Sequence, residues 1–183
     1  MYNETQRQHL KQIARDSIQY GLDHGRPLPV NSNDFDPALR EIRATFVTLK
    51  INQQLRGCIG RLQAERPLIE DVAENAYSAA FRDPRFAPLR EDEFDSLEYH
   101  ISVLDVPVDL PVQTESELIE KLVPGKDGVI LSDGLHQGTF LPSVWESLSK
   151  PADFVHHLKI KAGLPAKGWS ENYRVQRYGV EDF

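Results

Sequence analysis

The chain has little sulfur: one cysteine and one methionine in 183 residues. A single cysteine excludes an internal disulfide and any multi-cysteine zinc or iron–sulfur site built by one chain. It also suits a reducing compartment. No apolar run approaches the roughly 20 residues of a membrane span. The opening segment MYNETQRQHLKQ is polar and lacks the apolar stretch of a signal peptide. The expectation is a cytoplasmic protein with no membrane partner. Basic charge is in deficit, 21 Lys and Arg against 28 Asp and Glu, a net −7. That field opposes nonspecific binding to phosphate backbones, so nucleic acid is not an expected partner. The signatures of familiar chemistry are missing too. PGKDG lacks the upstream glycine and the Ser/Thr of a phosphate-binding loop. There is no GxGxxG, GxSxG or HExxH, so no cofactor or metal is implied.

What is present reads as one globular domain with room for a smaller second lobe. A chain this long buries about 70% of the surface its unfolded form exposes, enough to fold without staples. Leu10, Ile13, Ala14, Ile18 and Leu22 recur at helical spacing over residues 4–24, with Asn3 and Gln6 as a capping box and Gly25 as the stop. ATFVTLKI alternates as a strand, 44–51, and LRGCIGRL returns after a polar turn, giving a hairpin over 44–62. An alanine-rich helix follows from Leu68 to Ala80. Then come a proline-pinned turn over 83–89, a short acidic helix and a strand over 97–105. Thr114 and Glu117 form a capping box for a short helix through Leu122; GKDGVILSDGLHQGTFL reads as a second hairpin turning near Asp133 and Gly134. Ser143 and Glu146 cap a helix carrying Trp145 and Leu148. A further helix spans 152–162, and Tyr173, Val175 and Arg177 alternate in a last strand. Strand pairs joined by short turns favour antiparallel pairing, so the fold class is α+β, hairpin-built sheet flanked by helices.

The lone Cys58 lies in LRGCIG, Leu55 to Gly60, between two glycines. Strand alternation puts Arg56, Cys58 and Gly60 on one face. A guanidinium two residues from a thiol favours thiolate, and Gly57 and Gly60 leave room for a backbone or a ligand. Set against this is a buried structural cysteine, since free Cys is among the most buried residues. A cysteine nucleophile wants a histidine base. Among six histidines none is placed beside Cys58 by spacing. His100 is the most interesting, on a strand that is a candidate for the same sheet; a solvated histidine on a polar face is the plainer account. His156 and His157 are adjacent on a helix and diverge, and His136 sits at a turn. In DPRF, Asp83 bonds the following amides or faces a cleft, and Arg85 is presented to an anion by a rigid turn. GTFLP ends a strand before a helix start, a junction that caps orphan amides or holds an anion. The run Glu91, Asp92, Glu93, Asp95 is most simply a solvated face.

LRGCIG, AENAYSAAF, DPRF, ISVL, GKDGVIL, GTFLP and KAGL occur in the order found in the AMMECR domain family, and the chain resembles it over nearly its whole length. It is similar to compact members of the type called AmmeMemoRadiSam system protein A. The resemblance implies an α+β fold with a larger and a smaller lobe. It implies partners as well: a Memo-like protein and a radical-SAM protein, beside which family members are commonly encoded. It implies no settled reaction. It carries functional expectation onto Arg56, Gly57, Cys58 and Gly60, and more weakly onto Asp83, Arg85 and the GTFLP turn. Many relatives have Gln after FLP where this chain has Ser143, so no role for that amide is carried over.

Two functions remain in view. One is a binding or accessory component acting through LRGCIG. The other is an enzyme using Cys58 as nucleophile or redox centre on a small or peptidyl substrate.

Overall fold

The computed structural model describes residues 1–183. In chain order the strands are β1 (Ala44–Ile51), β2 (Gln54–Gly60), β3 (Glu98–Leu104), β4 (Val108–Asp109), β5 (Gly128–Ser132), β6 (Gln137–Phe140), β7 (Arg174–Tyr178) and β8 (Val180–Asp182). The helices are α1 (Glu4–His24), α2 (Leu68–Phe81), α3 (Glu115–Lys121) and α4 (Pro151–Lys161). They form two compact units, Met1–Leu104 with Glu181–Phe183, and Asp105–Val180. Each unit has its own sheet and core, and the α+β class read from the sequence is borne out.

In the first unit the sheet runs β2-β1-β3-β8. Asn52 and Gln53 close the β1–β2 hairpin with φ of 50° and 66°, the left-handed pair that a two-residue turn needs to match strand twist. Thr45, Val47, Leu49, Ile101 and Val103 form one face, against which α1 and α2 bury Leu10, Ile13, Ile18, Ile69, Val72 and Ala76. Helix α1 is capped as its sequence requires, with Asn3 Oδ1 accepting the Gln6 amide and Gln6 Oε1 accepting the Asn3 amide. Polar ties supplement the packing: Ser17 Oγ donates to the Ala73 carbonyl at 2.7 Å, joining α1 to α2.

The second unit orders its strands β4-β7-β5-β6. Its core is aromatic. The Trp145 ring stacks on Phe154 with centroids 3.8 Å apart, and Phe140 meets Phe154 edge-on at 5.2 Å. Trp145 Nε1 donates to the Asp127 carbonyl, so the indole is satisfied while buried. Lys159 on α4 is fully buried; its Nζ donates to Glu115 Oε2 and to the Gly168 carbonyl, both at 2.7 Å. One lysine thereby joins α3, α4 and the loop after α4.

Several local expectations change. The helix expected from Ser143 is a 3₁₀ segment, Pro142–Glu146, with no side-chain cap; Trp145 is drawn into the core and the turn tightens around it. The acidic helix is likewise 3₁₀, Glu91–Ser96. At α3, Thr114 accepts the Glu117 amide, but the Glu117 carboxylate returns to the Gln113 amide, not to Thr114. Strands β4 and β8 are too short to leave a periodic signal.

Lys159→Ala removes one partner of the buried pair. It is expected to lower unfolding free energy by about 3 kcal/mol in urea titrations, the low end for a broken buried pair because the partly exposed Glu115 regains water.

Candidate functional site

LRGCIG is strand β2, the edge of the first sheet. Cys58 lies opposite Thr48 on β1 and Gly60 opposite Phe46. Both are the kind of antiparallel pair whose main-chain groups point away from the partner strand. At Cys58 those outward groups meet side chains from the turn after α2. The Cys58 amide donates to Asp83 Oδ2 at 2.9 Å, and Arg85 Nη2 donates to the Cys58 carbonyl at 3.3 Å. A carboxylate and a guanidinium stand where a neighbouring strand would offer a carbonyl and an amide, which blunts an otherwise open edge. The two side chains also bind each other: Asp83 accepts from Arg85 Nε at 2.9 Å, from Nη2 at 2.7 Å and from the Arg85 amide at 3.1 Å. Asp83 thus shapes the local turn, as its motif suggested, and also reaches the strand of Cys58. Arg85 hydrogen bonds and the Cys58 amide hold the Asp83 carboxyl well below the usual carboxylate range, although burial opposes them.

Arg56 does not stand by the sulfur. Pairing steps from Leu49↔Gly57 to Lys50↔Leu55, so Arg56 is the extra residue of a β-bulge and the simple alternation breaks there. Its guanidinium grips Glu93 through Nε and Nη2 at 2.8 and 3.0 Å and donates to the Ala87 carbonyl at 3.0 Å. The pair is mostly buried, and Arg56 holds the Glu93 carboxyl down to about 2. The reading of the acidic run as a solvated face therefore fails for Glu93. Phe86 lies near both guanidinium groups, 5.9 Å from that of Arg56 and 5.6 Å from that of Arg85.

The glycines admit the protein itself. A Cβ on Gly57 would lie 2.1 Å from the Ala79 carbonyl oxygen of α2, and one on Gly60 would lie 2.3 Å from the Thr45 carbonyl and 2.4 Å from the Phe46 ring. Gly57 lets the helix backbone settle on the sheet; Gly60 lies beneath a cross-strand aromatic.

On the face opposite the helices, Thr48 is paired with Cys58 on one side and His100 on the other. Thr48 Oγ1 donates to Cys58 Sγ at 3.0 Å. The thiol is half-buried and His100 is exposed. Two strand spacings, about 10 Å, separate the Cys58 and His100 backbones, with Thr48 between them, and the sulfur's hydrogen bond is to Thr48. Phe46, Lys50, Glu98 and Ser102 complete the face.

The sheet edge thus gathers Arg56, Gly57, Cys58, Gly60, Asp83 and Arg85, with His100 on the face of Cys58 but two strands away. Sequence reasoning missed Thr48, Glu93 and Ala79. The alternation of ATFVTLKI held the signal for Thr48, and nothing local signalled the other two. Histidines 136, 156 and 157 are exposed in the second unit, where His136 Nδ1 sits 3.1 Å from Asp133. Two concave sites lie elsewhere. One of about 580 Å³ is lined by Leu110, Pro111, Gln113, Glu117, Tyr173 and Arg174. Another of about 310 Å³ includes Arg26, Leu28, Arg66 and Glu74. No helix is long and apolar enough to cross a membrane.

Comparison with known proteins matches residues 11–183 to the AMMECR1 family. A protein of Methanopyrus kandleri is 36% identical over 168 residues, covering 87% of this chain and 78% of the relative. One from Methanosarcina mazei is 35% identical over 178 residues, covering 96% and 89%. The crystal structure of an uncharacterized protein from Pyrococcus horikoshii superposes with a TM-score of 0.80 at 32% identity, covering 94% of this chain and 88% of the other.

Gly57→Ala is expected to cost about 3 kcal/mol or more in urea unfolding, because its methyl meets backbone, which has no rotamer to yield. Acid is expected to loosen the edge. Both Asp83 and Glu93 titrate lower folded than free, so the stability they contribute is present above their unfolded values and lost as pH falls. For Glu93 that window runs from 4.5 to about 2. Urea midpoints measured between pH 6 and pH 2.5 should drop, and Glu93→Gln should flatten part of the drop. Asp71, raised by burial, contributes in the opposite sense and cannot produce it.

Proposed function

The chain belongs to the AMMECR1 family, and on that footing we propose that it is a binding or accessory component whose LRGCIG sheet edge and adjoining face engage a Memo-like and a radical-SAM partner. The observation that carries this reading is how the charges near Cys58 are used. Arg56 is closed on Glu93 and Arg85 on Asp83, so both guanidinium groups are engaged in bracing the strand, with Arg85 keeping an exposed side. No base bonds the thiol, whose one hydrogen-bond partner is the Thr48 hydroxyl. The result is a stiff, preformed surface, which favours recognition because little ordering is needed on binding.

One observation favours the alternative, an enzyme with Cys58 as nucleophile or redox centre. A half-buried sulfur accepting a hydroxyl hydrogen bond is placed and oriented, as a reactive thiol must be. Its anion holder would be Arg85, since Arg56 points elsewhere.

Binding of the purified Memo-like and radical-SAM proteins of the same genome separates the two. The double variant Lys50→Glu with His100→Glu changes only the charge of the face and is expected to weaken association about tenfold or more. Cys58→Ser should bind within a few-fold of wild type. No association of the wild-type chain with either partner would overturn the accessory reading. Rapid Cys58 alkylation at neutral pH, slowed by Thr48→Val and accompanied by loss of cellular function in Cys58→Ser with binding intact, would establish the enzymatic one.

A further inference from the structure

Residues 61–67 join the end of β2 to the start of α2, and two of their side chains turn back toward one buried carboxylate. Asp71 on α2 is fully buried. Its Oδ2 accepts three hydrogen bonds, from the Thr45 amide at 3.0 Å, the Thr45 hydroxyl at 2.7 Å and Asn75 Nδ2 at 2.9 Å. Its Oδ1 accepts none. Arg61 Nε stands 3.5 Å and Arg66 Nε 3.9 Å from that oxygen, in ion-pair range but outside hydrogen-bond range. A buried carboxylate oxygen without a donor is unfavourable, and charge-assisted bonds form at about 2.8 Å, so the cure lies within roughly 1 Å of movement. Each arginine has a second acid near at hand that holds it back: Glu65 for Arg61 at 2.9 Å, and Glu74 for Arg66 at 3.5 Å. Arg82 shares Glu74.

The contacts close a ring. Asp71 holds Thr45, the Thr45 carbonyl accepts the Arg61 amide at 3.1 Å, and the Arg61 side chain faces Asp71 again. Gly60, the last residue of LRGCIG, immediately precedes Arg61. We propose that residues 61–67 are a strap poised to close on Asp71, with Arg61 and Arg66 moving onto the free Oδ1, and that closure sets the exit of the LRGCIG strand and so regulates the binding surface. The strap stands on its own geometry; its consequence for binding rests on the accessory function proposed above. Burial is what raises the Asp71 carboxyl, and Thr45 and the two arginines work against it, so the strap supplies positive charge that offsets part of the cost of burying a carboxylate.

Amide hydrogen exchange on the full chain tests this. The double variant Arg61→Gln with Arg66→Gln leaves Asp71, Thr45 and the core intact. It is expected to exchange about tenfold faster at the Arg61 amide, which bonds the Thr45 carbonyl, while α1 and α2 keep wild-type rates. Asp71→Asn should show the same local rise, with added global destabilisation. An unchanged rate at that amide in the double variant, or acceleration spread evenly along the chain, would overturn the strap. Adding a partner protein that binds the wild-type chain should slow exchange at the same amide; binding without that change would overturn the regulatory link. Failure of every partner to bind would sink the accessory function alone, since the comparison of free variants already decides the strap.

Discussion

Everything at this edge depends on how closely α2 approaches β2. The carbonyl of Ala79 lies where the side chain of residue 57 would project, and only glycine leaves the space. Helix and strand backbones therefore touch directly, with Ala73, Ala76, Ala79 and Ala80 keeping the helix face shallow. The helix ends at Phe81, and two residues later Asp83 is level with the Cys58 amide. Had α2 stood off by a side-chain layer, the carboxylate would not reach. The Asp83–Arg85 clamp follows from the Gly57 contact.

The clamp then governs the chemistry available. Positive charge near a thiol is the usual route to reactivity. Here both candidate guanidinium groups are committed, one through a bulge to Glu93 and one through a turn to Asp83. The same residues that look like machinery in a motif are bracing in three dimensions. What they brace is a strand edge with its outward main-chain groups at Cys58 already satisfied and a row of small and polar side chains, Cys58, Thr48 and His100, crossing the adjacent face.

Much of the fold was legible. The helix of residues 4–24, its cap, the first hairpin and the strand before Asp105 follow from local period and turn chemistry, because both act over a few residues. The alternation that put Arg56 beside Cys58 was not reliable, since a bulge shifts register by one residue and leaves no mark in composition. Glu93 was misread for a related reason: an acidic residue in an acidic run looks solvated until its distant partner is known. The 3₁₀ form of Pro142–Glu146 was hidden as well, because Trp145 answers to Phe154 and not to its neighbours in sequence.

The sequence by itself determined the class of protein and the period and ends of its longer elements. Those properties are local, written in side-chain spacing, caps and turn residues. Tertiary structure alone decided what Gly57 is for, where Arg56 points, and that Asp83 and Arg85 close the sheet edge at Cys58. Each of those rests on residues about 20 to 40 positions apart meeting within hydrogen-bond range, and no short-range pattern encodes a meeting of that kind. LRGCIG is thereby changed from a cysteine flanked by glycines into a braced strand edge, with its sulfur held by one threonine and its backbone by an aspartate and an arginine.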